Sequence, residues 1–383
     1  MHSRCGRIAF HRKSLGITLR ILLGIPEKGS HGGPAACEPP FADELRRLGH
    51  DVVEEIYVYA GTNSTTIQRA GRVLATARRF QERMSDGRFD LVHLNTAFDA
   101  KALLRDAFIV PKLTGKGAKV FLKLHGSDSQ LLDSKNPFYA ALWRRVLSGA
   151  DGIGVLSTDE RENFLRAKVP EKKLFVVKNI VEKNSQQCGS EFLRRWDLPA
   201  GRPLLLFISR FIRTKGLFDV IDACGLLRDR GEKFYLLGLG DGPEFSEAKA
   251  RADRLNLQAD VRFFGYIPED ETDRFYANSD ILLFPTYHTE GFPMVIFNAA
   301  AVGLPIITTN IRAAADYLTE PENCLWTTQR DPETLAGKIT ELLQNPDLRS
   351  DMKRNNTALA AKFTREIVTE EYLDAFRKIA NST

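Results

Sequence analysis

Cysteine is scarce: among 383 residues only Cys5, Cys37, Cys188, Cys224 and Cys324 occur, and no two form a C-x-x-C pair. An odd, scattered set argues against a disulfide framework and a cysteine zinc site, and fits a reducing, cytoplasmic compartment. No apolar run approaches the roughly 18 residues that cross a bilayer, which excludes an integral membrane protein of the helical kind. A D-x-D pair is missing, as is any His/Cys/Asp/Glu grouping with metal-ligand spacing, so neither a metal nor another cofactor is expected. The Walker pattern is absent. GLGDGP, residues 238–243, fails as a dinucleotide fingerprint: Pro243 stands where a third, helix-packing glycine belongs, and the next strand ends without an acid for a ribose. Outside the first twenty residues there is no excess of charge of either sign. The net charge is +5, and Arg4, Arg7, Arg12, Lys13 and Arg20 supply all of it. Residues 1–19 lack the continuous apolar stretch of a signal peptide, so they read as a leader outside the fold or as a contact for an anionic surface. Nothing resembles a nucleic-acid reader.

What is present is alternation. Short Ile/Leu/Val-rich runs (RILLGIP, DVVEEIYVY, LVHLN, KVFLKLHG, GIGVLS, LFVVKNI) are separated by helix-period segments, and a second set follows: PLLLFISR, FYLLGLG, VRFFGYI, ILLFPT, PIITTN and CLWTT. That pattern predicts α/β architecture with two doubly wound parallel sheets, since strands buried on both faces need no polar alternation. The chain is also too long for one core. The polar, Gly/Pro-marked stretch 182–203 places the break near residue 185, giving domains at 20–185 and 186–363 and a final segment at 364–383.

Open parallel sheets hold ligands beyond the carboxyl ends of their strands, so the strand-to-helix turns carry the information. In SRFIRTKG, Arg210 and Lys215 with a following helix N-terminus suit a phosphate, although two solvated side chains would look the same. KGSHGGP offers Gly32 and Gly33 for close backbone approach. His125 in KLHGSD ends an apolar strand beside Gly126 and Asp128, where a neutral imidazole can bond a ligand hydroxyl or a neighbouring loop. HTEGFPMVIFNAAAVGLP puts Glu290 before an almost wholly apolar helix whose one amide is Asn298. Amides near Phe292, Met294 and Val295 would face the cleft, and a buried Asn298 must bond either the fold or a ligand's hydroxyls. A hydroxyl-rich ligand with a phosphate accounts for this set of turns.

With HGGP, LRRLGHDV, HGSD, GADGIGVLS, KNIVE, SRFIRTKG, GLGDGP, FFGYIP and EGFPMVIFNAAAVGLPIITT in this order, the sequence resembles the family 4 glycosyltransferases, retaining enzymes of the GT-B fold, from about residue 20 onward. The resemblance implies that Arg210 and Lys215 meet the donor diphosphate, that Glu290 contacts the transferred sugar, and that His125 contacts it from the first domain. It places Gly32 and Gly33 near the diphosphate and acceptor, Ile267 at the nucleotide base, and EIVTEEYLDAFRKIA back across the first domain. The second acid of the family's E-x7-E motif is replaced by Asn298, which gives up charge-assisted acceptance from the ribose hydroxyls. KNIVE departs from the usual asparagine-glycine pair, and NIRAAADYL from a Gly-Gly turn, with Asp316 near the place of a trailing Glu.

The expected function is transfer of a sugar from a nucleoside-diphosphate donor to an acceptor hydroxyl, with retention and without a metal, in glycan, polysaccharide or glycolipid synthesis. The partners are a nucleotide sugar and a saccharide or lipid-linked acceptor. A degenerate nucleotide-sugar-binding protein and a nucleotide-sugar epimerase are the alternatives on the same scaffold. Residues 101–123 carry Lys101, Arg105, Lys112, Lys116, Lys119 and Lys123 around AFIVPKL against one acid, Asp106. A basic surface helix is the plainer account of this stretch, and peripheral contact with the cytoplasmic membrane face the other.

Overall fold

A computed structural model describes residues 18–30, 32–59, 65–182 and 189–381. The leader up to residue 17 and the expected break near residue 185 lie outside the described residues. All twelve apolar runs are strands: β1 (Arg20–Pro26), β2 (Asp51–Val58), β3 (Leu91–Phe98), β4 (Lys119–Ser127), β5 (Gly152–Val155) and β6 (Leu174–Val176), then β7 (Leu204–Ile208), β8 (Tyr235–Leu239), β9 (Val261–Gly265), β10 (Ile281–Phe284), β11 (Ile306–Thr308) and β12 (Cys324–Trp326). They form two six-stranded sheets, ordered β2-β1-β3-β4-β5-β6 and β12-β11-β10-β7-β8-β9. Every pairing is parallel. The fold is therefore GT-B: two Rossmann-like lobes, each reversing its strand order once, at β1/β3 and at β7/β10. Such reversals open the crevices in which α/β sheets bind ligands.

Burial on both faces explains the unbroken apolar strands. Along β7, Leu205 and Phe207 join Val220, Leu227 and Ile339 on one side of the second sheet. Leu204 and Leu206 turn to the other, toward Phe275, Ile296 and Phe297. This is the two-residue period of a pleated strand. In the first sheet Leu22, Val92 and Leu122 pack with Phe80 and Val110, while Ile21, Leu23 and Phe121 face Phe41, Tyr372 and Phe376.

Tyr372 and Phe376 belong to the helix Arg365–Ala380, which leaves the second lobe and lies on the first. Its rings make a cluster there: Tyr372 meets Phe41 at 4.8 Å and Phe376 meets Phe121 at 5.2 Å between centroids. The Tyr372 hydroxyl donates to the carbonyl of Lys178, and Lys178 pairs with Glu371. One apolar cluster consequently runs through both lobes. No helix among the described residues is long and apolar enough to cross a membrane.

Candidate active site

The turn after β7 is shaped by glycines. Gly216, at φ 79°, opens the helix Leu217–Asp229, and a Cβ there would lie 2.3 Å from the carbonyl oxygen of Pro285 at the end of β10. Gly240, at φ 133°, leaves no room either: its Cβ would sit 1.8 Å from the Ser209 carbonyl oxygen. The Phe211 amide donates to the Asp241 carbonyl at 2.9 Å. Gly240 and Gly242 of GLGDGP thus serve the close approach of the neighbouring turn, which carries Arg210.

Arg210 is exposed and lines a cavity of about 610 Å³ between the lobes, and among the described residues its side chain makes no ion pair. Lys215 differs from the expectation that it shares that cavity. Its ammonium pairs with Glu290, both side chains being mostly buried, and the Thr286 hydroxyl lies 3.5 Å from the same carboxylate oxygen. Neither Lys215 nor Glu290 lines the cavity. At this burial an ammonium and a carboxylate neutralise each other, so the two residues assigned separate roles form one unit.

The first lobe contributes Gly32, at φ 99°, and Gly33, which begin the helix Gly33–Arg47 and line the same cavity. Across from them Ile267, Met294, Val295 and Asn298 complete it. Met294 touches both lobes, its sulfur 3.7 Å from Cys37 Sγ and 3.7 Å from Asn179 Nδ2. Asn298 is buried, and its Oδ1 makes no hydrogen bond among the described residues. Its amide lies beside the Tyr276 hydroxyl, whose pKa burial pushes up.

The side chain of Phe292, whose backbone amide was the expected contact, stacks on Phe297, with centroids 3.8 Å apart and planes at 17°, inside the core. Asp128 is exposed and accepts from the Gln130 amide at 3.2 Å, closing the short turn Ser129–Leu131. Among the described residues, neither Phe292 nor Asp128 lines this cavity or the one that His125 faces. The helix after Glu290 is Met294–Ala301, with Pro293 as its N-cap.

His125 faces a second cavity, in the first lobe. Its Nε2 donates to Asn95 Oδ1 at 2.9 Å and lies 3.5 Å from Glu38 Oε1. Glu38 in turn holds Lys123 at 2.8 Å, both groups being buried. Burial and the Lys123 cation lower the His125 pKa to about 4, so the imidazole is neutral near pH 7. Burial opposes the charged form of Glu38, but Lys123 and the two nearby histidines outweigh it and hold the carboxyl well below its usual range. Sequence reasoning missed Glu38, Lys123 and Asn95. The available signal was Lys123 itself, two residues after Phe121 and hence on the same buried face of β4.

The two lobes meet at this point. A Cβ on Gly291 would lie 3.0 Å from the His125 carbonyl oxygen and from the Gly126 Cα. Nearby, Arg312, at φ 50°, pairs with Asp159 at 3.1 Å and with buried Glu160 at 3.0 Å. Asp316 accepts from the Thr158 amide at 2.7 Å. Among the described residues no group of three or more His, Cys, Asp or Glu could hold a metal ion.

Comparison with known proteins follows the same two-lobed division. Residues 32–179 match the glycosyl transferase 4-like domain, and residues 190–358 match glycosyl transferases group 1. The N-acetyl-alpha-D-glucosaminyl L-malate synthase of Bacillus anthracis is 21% identical over 373 residues, covering 92% of this chain and 96% of that protein. The lipopolysaccharide core biosynthesis glycosyltransferase LpsE of Rhizobium meliloti is 30% identical over 178 residues, covering 46% of this chain and 50% of its own. Among solved structures, a glycosyltransferase from Rickettsia africae superposes with a TM-score of 0.77 at 21% identity, over 96% of this chain and all of that one. HepE from Anabaena, solved with UDP and glucose, gives 0.72 at 19% identity, over 93% and 98% of the two chains. These likenesses establish the shared fold.

Proposed function

Given that the chain belongs to the glycosyltransferases, carrying the 4-like domain and the group 1 domain in succession, we propose that it moves a sugar from a nucleoside-diphosphate donor to an acceptor hydroxyl with retention of anomeric configuration. The observation that carries this reading is the pairing, in one interlobe cavity, of the Arg210 side chain with the unbonded Oδ1 of Asn298. A guanidinium suits a diphosphate, and a buried amide oxygen suits a sugar hydroxyl as donor. The reversal of strand order at β7/β10 directs both to the place where such sheets take ligands.

In this reading the ribose hydroxyls reach Asn298, the base lies against the backbone at Ile267, and the diphosphate lies between Arg210 and the Gly32–Gly33 turn, with the first-turn amides at Met294 and Val295 nearby. The Lys215–Glu290 pair opens on the donor, Lys215 turning to phosphate and Glu290 to sugar hydroxyls. His125, neutral and with Nε2 engaged by Asn95, presents its other ring nitrogen to the sugar. The acceptor oxygen bonds to the anomeric carbon on the face from which the diphosphate leaves. The electron pair of the breaking C–O bond goes to the diphosphate, and the acceptor proton passes to a leaving phosphate oxygen. Arg210 and Lys215 stabilise the growing negative charge without a metal, and closure of the lobes keeps water from acting as acceptor.

Relatives named for lipopolysaccharide core, colanic acid and capsular polysaccharide biosynthesis support placing the product among glycans or glycolipids. Incubation with a panel of UDP-, GDP- and ADP-sugars, followed by NMR of the product, tests the proposal. One donor is expected to yield a glycoside with the donor's anomeric configuration. An inverted product, or a free epimerised nucleotide sugar made without any acceptor, would overturn it.

A further inference from the structure

Asn298 stands between two cavities. With Ala36, Glu269 and Met294 it lines both the interlobe cavity of about 610 Å³ and a side chamber of about 250 Å³, which extends to Asp43, Glu182 and Arg365. The residue is 7% exposed, on a helix whose Ile296, Phe297, Ala299 and Ala300 are buried in the core. A buried amide needs partners for its polar atoms. One terminal atom has a partner, because the side chain hydrogen-bonds the hydroxyl of Tyr276, itself buried. The other does not: Oδ1 makes no hydrogen bond among the described residues. It is therefore the amide N–H that donates to Tyr276, and the carbonyl oxygen that is left for a ligand.

This division limits what Asn298 can hold. An ionised carboxylate has two oxygens and accepts from two hydroxyls at once, whereas the amide has one oxygen and its nitrogen is engaged. Turning the amide over exchanges the two atoms but still leaves one on Tyr276 and one on the cavity. The rest of the lining adds little toward a second hydroxyl. Ile267, Met294 and Val295 are apolar. The Thr272 hydroxyl donates to the Glu269 carbonyl at 2.7 Å, and the Ser209 hydroxyl to the Arg210 carbonyl at 3.0 Å. Asp241 accepts from the Gly242 amide at 2.7 Å, and Glu269 is already engaged. The side chamber is polar and wide enough for water, so a further hydroxyl directed there exchanges one water contact for another.

We propose that Asn298 grips a single hydroxyl of the donor's pentose, and that 2′-deoxyribonucleoside diphosphate sugars are accordingly donors alongside the ribonucleoside ones. Both pentoses carry the 3′-hydroxyl, and one neutral acceptor is satisfied by it in either. The 2′-hydroxyl then faces water in the side chamber or is missing, at little difference in free energy. A second, charge-assisted bond would separate the two pentoses by about 10- to 150-fold, and Asn298 does not supply it. The inference rests on the placement of the pentose at Asn298 given under Proposed function.

Calorimetric titration of the wild-type protein with UDP and dUDP, GDP and dGDP, and ADP and dADP tests it. In the pair whose base the protein binds, the deoxy member is expected to bind within tenfold of the ribo member. The 2′-deoxy form of the donor found in the nucleotide-sugar panel should likewise be turned over with a kcat/KM within tenfold of its parent. Asn298→Asp, to which Tyr276 can turn its hydroxyl proton, should raise the ribose preference by about tenfold, the worth of one added charge-assisted bond. Asn298→Ala should weaken both members of the pair alike. Thermal melts at the wild-type temperature show the variants folded, and the wild-type ratio needs no variant. A wild-type ribose preference of tenfold or more in binding or turnover would overturn the inference. So would an unchanged ratio in folded Asn298→Asp, or a loss in Asn298→Ala confined to the ribonucleotide. Each of these leaves the donor reading standing, because the nucleotide still binds. Binding by no member of any pair removes the donor reading, and this inference with it.

Discussion

Replacing Lys123 with methionine breaks a charge pair that has no access to water. Glu38 and Lys123 are 2.8 Å apart, with side-chain exposures of 0% and 3%. Without the ammonium, the Glu38 carboxylate keeps, among the described residues, His125 at 3.5 Å and the neighbouring His93. Removing one partner of a buried pair costs about 3–5 kcal/mol, because the other charge stays desolvated. At roughly 2–4 °C per kcal/mol for domains of 150–250 residues, the melting temperature should fall by about 6–20 °C. Glu38→Gln should do comparable damage, leaving the ammonium 5.3 Å from the centre of the Tyr372 ring. The double variant Glu38→Leu/Lys123→Met removes both desolvation penalties and should recover most of the loss, so that the cycle returns a strong favourable coupling. Thermal and urea melts of the four proteins measure this. The same substitution removes one of the two influences that lower the His125 pKa, so its NMR titration should move up from about 4. Single variants as stable as wild type, or a double variant as unstable as the two losses added together, would refute the reasoning.

Acid should destabilise the first lobe in a defined window. Burial lowers the pKa of His93 and, with Lys123, that of His125, from 6.5 to about 4. The unfolded chain therefore binds protons below pH 6.5 that the folded one refuses until about pH 4. Stability is fully present above 6.5 and lost as pH falls through that range, by roughly 3 kcal/mol per histidine at 1.36 kcal/mol per pH unit. His93→Phe, into a nest of Phe41, Phe121, Tyr372 and Phe376 rings, should remove about half of that slope in pH-dependent melts, and an unaltered slope would contradict the assignment. Gly291→Ala places a Cβ 3.0 Å from the backbone of His125 and Gly126. The lobes must shift, and turnover should fall roughly ten- to a hundredfold with the melting temperature nearly kept; wild-type turnover would count against the seam. Asn298→Ala should weaken nucleotide binding by about 2- to 13-fold, the worth of one hydroxyl hydrogen bond, and calorimetry with the nucleoside diphosphate reads it.

Apolar run length and turn residues made all twelve strands and both sheets legible, because strands buried on two faces are mostly apolar, even where β2 carries Glu54 and Glu55 and β4 carries Lys123. The turns at the cleft were legible for the related reason that ligands meet strand ends. Side-chain direction was not. Asp128 lies in the expected turn, but its side chain closes that turn. Lys215 and Glu290 are 75 residues apart, and Lys123 and Glu38 are 85 apart. No local pattern announces either pair, since it is tertiary packing that brings the charges together. The GLGDGP glycines were noticed, but their partner was the adjacent turn, a backbone contact that leaves no trace in side-chain pattern.

The central claim is that an activated sugar lies between the lobes with its diphosphate on Arg210. The most direct measurement is the turnover of Arg210→Ala against wild type with the donor identified from the nucleotide-sugar panel. Loss of one preorganised group facing developing charge should lower turnover by about 100- to 1000-fold, with the fold intact. An Arg210→Ala protein that transfers sugar at the wild-type rate would contradict it.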